Sequence, residues 1–175
     1  MLGRDRPIFC RIGAVTGNLE FEPLIYAAQA RPEWTFLLLG EVDESALAQL
    51  GRYHNIVLPG RVPMVDVPDY LGSSQVSFDL LSHTTRGSDL LPIRFYEYMA
   101  VGNPVVLMLE PDQVEPFPDV VYTAFTPADF LRRCEKAAAE DPGWVRSRRQ
   151  AYAETSQWAD RANEIQRILE NSMLI

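Results

Sequence analysis

Arg94 and Glu97 stand three residues apart in PIRFYEYMAVG, a stretch whose other side chains are nearly all apolar or small. A spacing of three makes them neighbours on one stripe of a helix. An arginine in the first turn is disfavoured by the helix dipole, by roughly 0.3–1 kcal/mol at an exposed site, and an anion bound at that helix end would offset the cost. The preceding loop, SHTTRGSD, supplies Ser82, Thr84, Thr85, Arg86, Gly87 and Ser88, a suitable lining for a polar, anionic, sugar-like ligand. A ligand-free reading is equally open, in which Arg94 and Glu97 form an ion pair within the helix.

Asp89 and Glu97 are eight apart. Paired carboxylates can hydrolyse glycosides, but Asp89 ahead of a helix is also a natural N-terminal cap. Gly13 and Gly17 lie four apart between a strand pattern and a helix pattern. Glycines there let backbone N–H groups approach a phosphate; a tight strand-to-helix turn accounts for them as well. The spacing is not G-x-G-x-x-G, which disfavours a nicotinamide or flavin cofactor. His54 and His83 stand alone, and neither they nor Cys10 and Cys134 have zinc-site spacing. The two cysteines fall on apolar patterns and read as buried, unpaired thiols.

The elements that must position these residues alternate. Strand patterns fall at 8–15, 34–40, 55–60, 75–81, 104–109 and 119–125. Helix patterns fall at 21–30, 43–51, 65–74, 92–102, from Thr126 and from Thr155. Asp43 is a plausible N-cap with Gly51 as a stop, and Thr126 is an N-cap followed by Pro127. Continuous apolar strands alternating with helices predict a parallel sheet covered on both faces: an α/β, Rossmann-like, doubly wound sheet of about six strands, in one domain over 1–175. Ligands bind such sheets beyond the carboxyl ends of the strands, where GAVTGNLE, GEVDE, GRVP, SHTTRGSD and LEPDQ lie.

The chain has 175 residues, 47% hydrophobic and 23% charged, with a formal net charge of -8. That balance suits a folded domain and argues against a nucleic-acid partner, which would leave a basic footprint. Arg146, Arg148 and Arg149 cluster in RSRRQ and read as a solvated helix face. The N-terminus lacks a signal-peptide apolar region, and no apolar run approaches the roughly 20 residues of a membrane helix. The expected location is cytoplasmic, with peripheral membrane association of a full enzyme open.

PIRFYEYMAVGNPVV resembles the signature P-x-K-x-x-E-Y-x-A-x-G-x-P-V-V of retaining glycosyltransferases with the two-Rossmann-domain (GT-B) fold. These are of the family 4, or group 1, type, a large family that includes sucrose synthase, glycogen synthase and many bacterial polysaccharide-building enzymes. LIYAAQARPEWTFLLLGEVD, NIVLPGRVPMVDVPDYLGSSQVSFDLL and SQWADRANEIQRILE resemble further family segments, in the same order, over about residues 8 to 170. The resemblance implies the C-terminal domain of such an enzyme, which binds the nucleotide-sugar donor, with a last helix that crosses back to the other domain. It implies that Glu97 hydrogen-bonds the ribose, that Arg94 lies near the diphosphate, and that Gly60, Arg61 and Val62 meet the nucleobase through backbone. Gly13 and Gly17 would approach the diphosphate, with Thr85, Arg86, Gly87 and Leu91 completing the donor site. Asp89 and Arg94 would be the catalytic residues, with no metal or other cofactor.

Three departures stand out. Asp89 replaces a glutamate, Arg94 replaces the commoner lysine, and the first loop lacks an arginine–lysine pair, so that Arg11 or Arg86 would have to assist. The chain also lacks room for the N-terminal acceptor domain. It therefore reads as half an enzyme, either a piece of a longer protein or a subunit whose partner is encoded separately. Alone it would bind poorly and turn over almost nothing, and Trp158, Ile165 and Leu169 on its last helix would be partly exposed. The acceptor implied is a saccharide or a lipid-linked sugar. Two rival functions stand beside this one: a degenerate, non-catalytic nucleotide-sugar or interaction module, and half of a nucleotide-sugar 2-epimerase, for which no acid/base candidates stand out.

Overall fold

A computed structural model describes residues 6–80, 93–108, 117, 119–141, 143–155 and 158–172. In chain order the elements are β1 (Ile8–Ile12), α1 (Glu22–Ala30), β2 (Thr35–Leu39), α2 (Glu44–Leu50), β3 (Ile56–Gly60), α3 (Val67–Ser73) and β4 (Val76–Asp79). Then follow α4 (Arg94–Val101), β5 (Val105–Leu107), β6 (Val121–Thr123), α5 (Pro127–Ala138), α6 (Gly143–Glu154) and α7 (Trp158–Ser172). The strands form one six-stranded sheet in the order β3-β2-β1-β4-β5-β6, with every neighbouring pair parallel. This is the doubly wound arrangement expected from alternating apolar strands and helices.

Each face of the sheet has its own core. On one, Phe9, Phe36, Phe78 and Phe130 pack with Leu24, Ala28 and Leu50. Phe9 stacks on Trp34 at 4.6 Å between ring centres, and Phe78 meets Phe130 edge-on at 5.9 Å. On the other face, Cys10, Ile12, Leu39, Val105 and Leu107 pack with Phe95, Tyr98 and Met99 of α4. Cys10 and Cys134 are buried free thiols, and burial pushes the Cys10 thiol up to about 12.

The predicted caps form. Asp43 accepts from Ala46 N–H at 2.7 Å and Thr126 from Asp129 N–H at 3.1 Å. The first strand is shorter than 8–15, because Gly13 turns the chain out of the sheet with φ +107°. Helix α4 starts at Arg94 rather than Pro92 among the described residues and ends on Gly102 in the left-handed conformation, the usual C-terminal stop.

Helix α6, which the hydrophobic pattern does not separate as an element, carries RSRRQ, and that segment is not wholly a solvated face. Arg146 is exposed and Arg148 half-buried, but Arg149 is fully buried. Its guanidinium grips the Glu140 carboxylate with both Nη atoms, at 2.6 and 2.7 Å, and donates from Nε to the Val120 carbonyl at 2.8 Å. Its Nη1 also reaches the carbonyl of Gly102 at 3.5 Å. Burial, with the hydrogen bond to Glu140, pushes the Tyr122 phenol up to about 12. Every described side chain of α7 is exposed, Ile165, Ile168 and Leu169 among them. Among the described residues, no helix is long and apolar enough to cross a membrane.

Two expectations follow. Arg149→Met strands the Glu140 carboxylate, and urea unfolding should record a loss of about 3–5 kcal/mol; a loss under about 1 kcal/mol, typical of an exposed pair, would contradict the burial. Cys10 should resist a thiol-disulfide reagent at pH 8 in the folded chain and react once urea unfolds it, since the thiolate is the reactive form.

Candidate functional site

The order β3-β2-β1-β4-β5-β6 reverses direction between β1 and β4. Open parallel sheets bind ligands in the crevice beyond the carboxyl ends of the strands at such a switch point. Three glycines shape the rim. Gly13, Gly40 and Gly60 end the first three strands, all with positive φ (+107°, +153° and +81°). Gly13 N–H donates to the Leu39 carbonyl at 2.9 Å and Gly40 N–H to the Gly60 carbonyl at 3.0 Å. A methyl group on Gly40 would sit 2.2 Å from the Gly13 carbonyl oxygen, so these two loops touch backbone to backbone.

Beneath the rim lies a buried charge cluster. Asp79, the last residue of β4, is 5% exposed, and Arg11, near the end of β1, is 1% exposed. Arg11 Nε donates to Asp79 Oδ1 at 2.8 Å, and its Nη1 donates to the carbonyls of Gly13 and Ala14 at 3.2 and 3.1 Å. Asp79 Oδ1 also accepts from Leu80 N–H at 2.9 Å. The other oxygen, Oδ2, accepts from Arg94 Nε. Burial pulls the Arg94 guanidinium down, but the Asp79 charge and hydrogen bond outweigh it, and the net shift is upward. Arg94 is charged at any working pH. Tyr98 lies fully buried next to this cluster, where its hydroxyl accepts from Ile12 N–H at 3.0 Å. Burial, with the nearby Asp79 charge, raises its phenol far above the ordinary value, so it stays neutral.

The arginine of the opening motif therefore pairs with Asp79, not with Glu97. Glu97, one turn further along α4, is half-buried and has no hydrogen-bond partner among the described residues. Arg94 lies against the first loop: a methyl group on Gly13 would meet its Nη1 at 3.5 Å. Both glycine amides of that loop are already used, Gly13 on Leu39 and Gly17 on Asp43 Oδ2 at 2.9 Å. The amides of Ala14, Thr16 and Asn18 have no partner among the described residues. Gly17 is a packing residue too, since a methyl group there would fall 2.5 Å from Ser45 Oγ. The Gly17 and Ala46 N–H groups hold the Asp43 carboxyl below its usual range.

Arg11, which the sequence offered as a helper for the ligand, is buried, with its Nε on Asp79 and its Nη1 on two carbonyls. Arg61 points its guanidinium outward to Glu41 at 3.4 Å, while Val62 packs against the α4 side of the core. Thr85, Arg86, Gly87, Asp89 and Leu91 lie outside the described residues. Among the described residues no group of three His, Cys, Asp or Glu is placed to hold a metal ion. Asp79 was not singled out from sequence, although a signal existed: it is a lone charge inside the strand pattern QVSFDLL, as Arg11 is inside IFCRIGAV. Charges in buried strands require partners.

No protein-family model matches the chain. In sequence it is 25% identical, over 163 residues, to "Putative teichuronic acid biosynthesis glycosyltransferase TuaH" of Bacillus subtilis (strain 168), covering 89% of this chain and 41% of that protein. Among solved structures it superposes on Anabaena HepE, crystallised with UDP, with a TM-score of 0.68 at 17% identity, covering 98% of this chain and 50% of HepE. It also superposes on the pneumococcal O-GlcNAc transferase GtfA in complex with UDP and GlcNAc, with a TM-score of 0.64 at 12% identity, over 98% of this chain and 37% of GtfA. The fold is that of a GT-B glycosyltransferase domain. The chain spans half or less of the length of each of these proteins.

The rim can be tested by substitution. Gly60→Ala meets no atom within 4 Å and should cost only the left-handed backbone, about 1–2 kcal/mol. Gly40→Ala forces two loops apart and should cost clearly more in the same urea titration. Asp43→Ala should lower the thermal midpoint. Because the folded carboxyl titrates below its ordinary value, its stabilisation is complete above the usual carboxylate range. It fades as pH falls through the lowered value, and the gap between Asp43→Ala and the parent should close with it.

Proposed function

We propose that this chain is the donor-binding half of a retaining glycosyltransferase that moves a sugar from a nucleoside diphosphate to a saccharide or lipid-linked acceptor. The observation that carries the reading is the Arg94 guanidinium, anchored on Asp79 at the switch point, with Gly13 beside it and Glu97 one turn away. UDP is the first nucleotide to consider, because HepE and GtfA were solved with it.

The chemistry follows from charge. As the bond to the sugar breaks, negative charge grows on the leaving diphosphate. The Nη edge of Arg94 on one side and the Ala14 and Thr16 amides on the other are preset donors for that charge, the form of stabilisation that enzymes rely on most. Glu97, half-buried and unpaired among the described residues, can accept two hydroxyl hydrogen bonds, as a ribose diol offers. The acceptor site and the opposite wall of the cleft belong to a second domain, in a longer chain or a separate subunit. No metal is required, since the donors above supply the positive field. Asp89, Thr85, Arg86, Gly87 and Leu91 remain the proposed contacts to the donor sugar and its phosphates.

Titration calorimetry of the chain with UDP, GDP and dTDP tests this. One nucleotide should bind, UDP first, and Glu97→Ala and Arg94→Ala should each weaken it about tenfold or more, as loss of a charge-assisted hydrogen bond does. Binding of none by the folded chain, or binding indifferent to both changes, would sink the reading.

A further inference from the structure

Neutralising one buried carboxylate takes one arginine, and Asp79 has two. Arg11 already gives it one buried counter-charge: Nε goes to Oδ1, and Nη1 goes to two backbone carbonyls. Arg94 is thus the surplus cation. It reaches Oδ2 through Nε alone, and its side chain is 27% exposed against 6% for Asp79. Its two Nη atoms have no hydrogen-bond partner among the described residues, and Nη1 lies against Gly13.

A guanidinium held at Nε loses most of the freedom of its long side chain while keeping its outer Nη edge open. That edge is the part that forks onto phosphate. We propose that Asp79 is a positioning residue: its buried carboxylate, itself fixed by Arg11 and Leu80 N–H, aims Arg94 at the diphosphate before the ligand arrives. This rests on the donor-binding reading. Preorganisation of this kind removes an ordering cost that would otherwise be taken from affinity. It also explains why two charges occupy otherwise apolar strands. The Arg11–Asp79 pair is the footing, and Arg94 is the group it supports.

Asp79→Asn leaves Arg11 buried without its counter-charge and is at risk of not folding. The informative variant removes the footing whole: Arg11→Leu together with Asp79→Leu, a replacement that buried ion pairs often tolerate. Arg94 is untouched in it. Folding is checked by cooperative urea unfolding. Two measurements then separate the possibilities. Nitrogen-15 NMR of the arginine side chains, with the Arg94 signal assigned through Arg94→Lys, reads exchange of its Nε proton with water. It should be slow in the parent and fast in the double variant. Calorimetry with UDP should find binding weakened about tenfold or more by the double change, with Arg94→Ala adding little on top of it. In the parent, Arg94→Ala alone should cost the full amount.

A merely structural footing would leave affinity unchanged in the folded double variant, or would make the two losses additive. Either result overturns the proposal. A fast-exchanging Arg94 Nε proton in the parent overturns it as well, whatever the chain binds. Slow exchange with no nucleotide bound by the parent overturns the donor-binding reading instead, and leaves the anchoring of Arg94 standing.

Discussion

One carboxylate holds the site together. Asp79 accepts from Arg11 on one oxygen and from Arg94 on the other. It thereby ties the ends of β1 and β4 to the first turn of α4. A charge buried to this depth is tolerable only when paired and hydrogen-bonded, so the three residues stand or fall as a set. Through Arg11 Nη1 the set also gathers the carbonyls of Gly13 and Ala14, which turns those oxygens inward.

The sheet provides the conditions for the cluster. Its two apolar cores leave the strand ends as the one place where polar backbone converges, and the strand order opens a gap there. Glycines at the ends of β1, β2 and β3 let the loops lie against each other with no side chains between them. The same positive-φ positions that terminate the strands thus shape the rim.

Local features were legible in the sequence. The caps at Asp43 and Thr126, the stop at Gly51 and the alternation of strand and helix each depend on a few neighbouring residues. Arg94 was legible as an arginine in the first turn of a helix. Its partner was not, because Asp79 lies 15 residues away and pairing across a sheet leaves no local spacing. Arg149 was misread for a related reason. RSRRQ looks like a charged surface by composition, yet Val145, Arg149 and Tyr152 recur at helical spacing, and Val145 and Tyr152 pack on the core. The position on the stripe decides burial, and the partner, Glu140, belongs to the turn before the helix.

Helix α4 is held at both ends by buried arginine chemistry. At its start Arg94 is fixed to Asp79; at its close the Gly102 carbonyl takes a donor from Arg149, which is locked to Glu140 and Val120. A rod clamped at two points cannot roll about its own axis. Each residue of slip in a helix swings a side chain by about 100°, so the interval between the clamps acts as a ruler for the angle at which Glu97 projects. The angular setting of that carboxylate is thus governed partly from α6.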